Sequence, residues 1–167
     1  DCKCNNFMIH CIWEGKGGDK VVVYKYTNKI RCLNFREKRW NYWMIELRKA
    51  LHKHLKTIQS RVCFQQASDT EQFPYLTYSF EMIPDGEGFE LVTLDIDGWD
   101  MPISGDTTQL ENLMTDVDRA MNKKTLTTDD LVVSFYLDRK LALEDDNPKI
   151  IRRKYVYQGR IFERGDN

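Results

Sequence analysis

The sequence predicts an α+β fold, a mostly antiparallel β-sheet packed by two main α-helices at about 36–58 and 107–122. Three observations carry this. Along 36–57, Trp40, Trp43, Met44, Leu47, Leu51 and Leu55 recur at three- and four-residue spacing with charged residues between them, the stripe of an amphipathic helix. Along 75–83, Leu76, Tyr78, Phe80 and Met82 alternate with Thr77, Ser79 and Glu81, the period of a half-buried strand. Leu110, Leu113, Met114, Val117, Ala120 and Met121 then form the stripe of a second helix.

The elements follow in order. Residues 7–13 are a short apolar run that periodicity leaves open between strand and helix tail. The glycines of Gly15-Lys16-Gly17-Gly18-Asp19 make a loop, without the Gly-Lys-Ser/Thr that a phosphate-cradling loop needs. The β-branched run from Val21 reads as a strand to Tyr26, Thr27-Asn28 as a turn, and 30–35 as a further extended segment. After the first helix come a strand at 60–65, a polar connection at 67–74 and the alternating strand 75–83. Pro84-Asp85-Gly86-Glu87-Gly88 supplies turn chemistry, so 89–96 returns antiparallel, with a bulge or a switch from one neighbour to another expected near Leu91 where the apolar face changes. Thr108 with Glu111 forms a capping box for the second helix, and Lys123-Lys124 suits its C-terminal dipole. Residues 125–130 connect to 131–137, apolar on both sides as in a covered strand. Residues 150–157 and 160–164 read as an exposed ribbon turning near Gln158-Gly159.

Bulk properties narrow the class. A length of 167 residues suits one domain with a core of its own, and 31% charged with 41% hydrophobic residues marks a globular chain. A net charge of −1 gives no general attraction to nucleic acid or anionic membrane, and no apolar run approaches a membrane span, so the chain reads as soluble with no membrane partner. It opens on Asp1, as expected of a processed product or excised domain. Cys2, Cys4, Cys11, Cys32 and Cys63 are an odd and uneven set, which reads as reduced intracellular thiols. Cys2, Cys4, His10 and Cys11 hold zinc-type donors, but Cys-x-Cys lacks the usual two-to-four-residue gap, and neither metal nor cofactor is expected. The basic side chains of the first helix read as a solvated face, and His52 and His54, two apart, point in different directions around it.

Two motifs invite chemistry. Asp95 and Asp97, spaced by one and followed by Gly98, could hold Mg²⁺ for an enzyme, yet alternation puts both on one face as any solvated strand end would. Arg152, Arg153, Lys154 and Arg160 alternate with Tyr155, Tyr157 and Phe162, the pattern of a nucleic-acid-binding ribbon of the viral or RNA-silencing type. Lysine and arginine also protect sheet edges, which is the competing reading.

The order of elements resembles the HORMA domain, the fold of mitotic-checkpoint and meiotic chromosome-axis adaptors. The resemblance lies in Lys25-Tyr26 leading into 30–35, the helix at 44–56 running into Arg61-Val62-Cys63-Phe64, Tyr78-Ser79-Phe80-Glu81 before Asp85-Gly86, the helix at 109–121 and Val132-Val133-Ser134-Phe135-Tyr136. It implies a non-enzymatic, intracellular and nuclear adaptor that binds a peptide segment of another protein by β-strand addition. Carried over by position, the receiving edge is Leu131, Val133, Phe135 and Leu137, and a C-terminal belt includes Ile151, Tyr155, Tyr157 and Phe162. The domain expectation is one α+β unit over 1–167, with 1–20 a truncated or frayed N-terminus and 141–167 a C-terminal β-ribbon or belt.

Overall fold

A computed structural model describes the backbone of residues 11–14, 20–26, 29–84 and 90–163, and side chains over 41–83 and 91–162. The Cys2, Cys4 and His10 donors, the glycine loop at 15–19, the turns at 27–28 and 85–88, and Arg164 lie outside the described residues, as do the side chains of Cys11 and Cys32. The chain divides into two compact units, Asp1–Ile45 and Glu46–Asn167.

In the first unit β1 (Cys11–Glu14), β2 (Lys20–Tyr26) and β3 (Lys29–Asn34) form an antiparallel sheet in sequence order, with Val22 opposite Leu33 and Tyr26 opposite Lys29. The run 7–13 therefore ends as a strand. Helix α1 (Phe35–Leu55) starts in this unit, and its residues from Glu46 belong to the second.

The second unit is α+β, with a mostly antiparallel six-stranded sheet. Its strands are β4 (Val62–Phe64), β5 (Tyr75–Pro84), β6 (Glu90–Asp100), β7 (Lys124–Thr127), β8 (Leu131–Leu143) and β9 (Ile151–Glu163), ordered β4-β5-β6-β9-β8-β7. Only β4 runs parallel to its neighbour, β5. Helix α2 (Thr108–Met121) links β6 to β7.

Both helices cover one face of this sheet. Leu47, Leu51 and Leu55 of α1 are buried, and so are Leu110, Met114, Val117 and Met121 of α2. Beneath them lie Leu76, Tyr78, Phe80 and Met82 of β5, Val92, Leu94 and Ile96 of β6, and Leu131, Val133 and Phe135 of β8. Polar bonds fix the helices. Tyr78 Oη donates to the Arg48 carbonyl at 3.1 Å, His54 Nε2 lies 3.1 Å from the Ala120 carbonyl, and Arg153 Nε donates to Glu111 at 2.8 Å. Glu111 is thus engaged with β9, and Thr107, the residue that caps α2, makes no side-chain capping bond, so the expected capping box is not formed. Asp106 serves instead, accepting from Thr108 N at 2.9 Å and from its hydroxyl at 2.6 Å.

Three further expectations are corrected. No bulge occurs at Leu91: β5 and β6 stay in register from Pro84 opposite Glu90 to Tyr75 opposite Trp99, so Leu91 stands on the face away from the helices. The segment 124–127 is a strand, too short and too exposed for its pattern to show. The residues read as a turning ribbon form one strand, β9, bonded to β6 on one margin and β8 on the other. Gly159, which looked like a turn, lies opposite Val92 and Phe135. A Cβ there would sit 2.9 Å from the Ser134 carbonyl oxygen and 3.1 Å from the Phe135 ring, so glycine is needed for close approach.

Two expectations follow. Gly159→Ala should cost about 1–3 kcal/mol in urea unfolding, since a backbone carbonyl and a buried ring must both give way. Burial pushes the Tyr78 hydroxyl up from 10.0 to about 12, and burial with the neighbouring Asp118 carboxylate pushes Tyr157 up as well. Above pH 10 the unfolded chain releases these protons and the folded chain does not, so stability should be intact below about pH 10 and fall from there toward 12. Ultraviolet titration should show both tyrosines ionising with unfolding, and early ionisation in a folded chain would refute this.

Candidate functional site

The residues singled out from sequence occupy two regions of the second unit. The first is the face of the sheet away from the helices, where Tyr75, Thr77, Asp95, Asp97, Trp99, Arg152 and Lys154 meet because alternate residues of β5, β6 and β9 point the same way. Arg152 Nε donates to Asp97 Oδ1 at 2.8 Å, and Lys154 Nζ donates to Asp95 Oδ2 at 2.7 Å while lying 3.8 Å from Asp97 Oδ2. The Arg152 guanidinium also lies 4.5 Å from the centre of the Trp99 ring, whose Nε1 donates to Thr77 Oγ1 at 2.9 Å. Tyr75 stacks on the other side of the group, 6.0 Å from Trp99 between ring centres. This is a closed charge and ring network.

That network includes residues of both motifs that invited chemistry. The pair Asp95 and Asp97 is neutralised by two cations, and among the described residues no three His, Cys, Asp or Glu side chains gather as metal donors. The basic residues of the ribbon separate in the same way. Arg152, Lys154 and Arg160 lie on the outer face, Arg153 turns to the helix side, and Tyr155 and Tyr157 are buried under the helices. Tyr155 and Tyr157 are thus on the opposite face from Arg152, Lys154 and Arg160, whereas Phe162, 41% exposed, shares the outer face with these cations, and three of the four cations hold carboxylates.

The second region is the margin of β8. The expected receiving edge at Leu131, Val133, Phe135 and Leu137 is occupied from within, because β7 pairs along it from Thr127 opposite Val132 to Lys124 opposite Phe135. Lys123, in the left-handed region at φ 58°, donates its N–H to the Phe135 carbonyl at 2.8 Å, and Asn122 Oδ1 accepts the Leu137 N–H at 3.1 Å. Coverage stops there. The belt residues are likewise part of β9: Tyr155 and Tyr157 are buried between β6 and β8, Ile151 pairs with Asp100 of β6, and Phe162, 41% exposed, pairs with Val132 of β8.

Beyond Leu137 the strand changes character. A register shift at Asp138 inserts one residue, after which Lys140 pairs with Tyr155 on the helix side and Leu141 with Lys154 on the outer face. Lys140 Nζ then reaches Asp118 of α2 at 2.8 Å and sits 4.7 Å from the centre of the Tyr155 ring. Residues 138–143 are bonded to β9 on one margin, and no described strand lies on the other. Residues 138–142 are exposed, Leu141 by 37%. Sequence reasoning ended the strand at Leu137, because Asp138, Arg139 and Lys140 break its apolar run.

Removing Asp97, which is 6% exposed, leaves Arg152 held over Trp99 without its carboxylate. Asp97→Ala should cost about 1–3 kcal/mol in denaturant unfolding. Asp95→Ala, at a more open pair, should cost less than about 1 kcal/mol. Equal losses would contradict this account of the network.

No protein-family model matches the chain, and no curated protein does. Among the described residues no helix is long and apolar enough to cross a membrane. In fold the chain is similar to a solved structure described as the virion of a native gene transfer agent (GTA) particle, at 12% identity and a TM-score of 0.53 over 66% of this chain and 84% of that one.

Proposed function

We propose that this chain is a non-enzymatic assembly protein that binds a partner by β-strand addition along the free margin of β8, residues 138–143, as a component of a virion-like particle. The observation that carries the reading is the exposed half of a 13-residue strand that is bonded to β9 on one margin and to no described strand on the other. Such a margin presents a row of backbone donors and acceptors, which native proteins usually cover or blunt. An added strand gains affinity from those backbone bonds and selectivity from alternate side chains, and needs no catalytic group. Leu141 and Leu143 give that margin an apolar outer side, and Lys140, tied to Asp118, steadies its inner side. The particle context draws on the likeness of fold to a chain of the gene transfer agent virion.

Selection from a random peptide display library tests the mode of binding. Extended peptides with alternating apolar residues should be enriched, and their binding should slow hydrogen exchange at 138–143. N-methylation of alternate peptide amides, which keeps the side chains and removes backbone donors, should weaken binding more than tenfold, equivalent to about 1.4 kcal/mol. Enriched peptides that leave the exchange of 138–143 unchanged would overturn the reading.

A further inference from the structure

The sheet has a second open margin, at its opposite edge. β4 pairs with β5 only at Leu76, Thr77 and Tyr78, and the bond from Gln65 N to the Tyr78 carbonyl, 2.8 Å, is the last that covers this side. From Ser79 to Ile83, β5 is bonded to β6 alone among the described residues, and Pro84, which has no N–H, closes the stretch. The two open margins are of similar length, and three antiparallel steps, β5 to β6 to β9 to β8, make them run in opposite directions.

We infer that the strand added to β8 is the β5 margin of a second copy of this chain. This rests on the proposed function above and names the partner of that same site. Two copies in the same orientation, set edge to edge, bring β8 of one against β5 of the next in antiparallel sense, with both helix-covered faces on one side. A register that matches the open stretches end to end sets Arg139 opposite Ile83, Leu141 opposite Glu81 and Leu143 opposite Ser79. All six lie on the outer face in their own sheets. Arg139 and Glu81 then stand on the diagonal, within reach of long side chains of opposite charge. Glu81 is exposed, and Arg139 pairs on the surface with its chain neighbour Asp138 at 3.5 Å. Ile83, half exposed, gains the aliphatic stem of Arg139 as cover.

Pairing of β8 with β8 across a two-fold axis is the rival arrangement. It would leave the β5 margin open and bring Lys140 diagonal to its own symmetry mate, a like-charge approach. The head-to-tail contact uses both margins and repeats from copy to copy, as heterologous contacts do.

Sedimentation velocity on the full chain over a dilution series decides between them. The wild-type chain should associate with increasing concentration. Glu81→Lys or Arg139→Glu alone should raise the dissociation constant about five- to tenfold, and the double variant should recover most of the loss. Weakening by Arg139→Glu with no effect of Glu81→Lys would overturn the inference in favour of the two-fold contact. A chain that stays monomeric throughout would overturn it outright. If peptides still protect 138–143 in that monomer, strand addition stands with a different partner. If they do not, both readings fall.

Discussion

The insertion of β9 between β6 and β8 is the constraint on which the second unit depends. Strand β9 bonds along nearly its whole length to β6 on one margin and β8 on the other, so both neighbours depend on it for their place in the sheet. Such pairing is non-local, with Arg152 bonded to a carboxylate 55 residues earlier, and carries the loop-closure cost of that separation. Tyr155, Tyr157 and Ile161 then complete the core beneath the helices, while Arg152 and Lys154 settle the carboxylates of the outer face. One strand thus finishes the core on one side and the charge network on the other, through the alternation of its side chains.

The extra residue at Asp138 has an effect larger than its size. Before it, Leu131, Val133 and Phe135 face the core; after it, even-numbered residues turn to the helix side. A leucine at the position of Lys140 would have continued the core, whereas the lysine reaches out to Asp118 and lies along Tyr155. The bulge therefore ends the buried half of β8 and turns the remainder into a solvent-exposed margin anchored from below. A strand that is core at one end and edge at the other suits the strand addition proposed for this margin.

Ion pairing and aromatic stacking tie the side chains of the outer face to one another. Asp95 and Asp97 repel each other on adjacent outward positions of β6, and β9 relieves this with Lys154 and Arg152 placed opposite or diagonal to them. The Trp99 ring accepts the other side of the Arg152 guanidinium, leaving that cation few directions in which to act. Among the described residues of this sheet, open backbone lies at 79–83 of β5 and 138–143 of β8, beside the outer margins of the end strands β4 and β7.

Local periodicity was enough to establish the α+β class, both main helices and the alternating strand β5, because each of these carries its hydrophobic pattern within a few turns or residues. Trp43, Leu47, Leu51 and Leu55 are buried at the spacing that marked them, as are Leu76, Tyr78, Phe80 and Met82. The order of strands in space was a different matter. The chain alone shows no partner for Asp95 and Asp97 or for Arg152 and Lys154, which the register lays against one another, and Gly159, which reads as a turn, lies within a strand against the Phe135 ring. Opposite charges far apart in the chain give no signal of their pairing, and a strand margin is defined by which neighbour is missing. Amino-acid pattern encodes which face of a segment seeks the core; only the folded sheet decides which backbone bonds are left unmade.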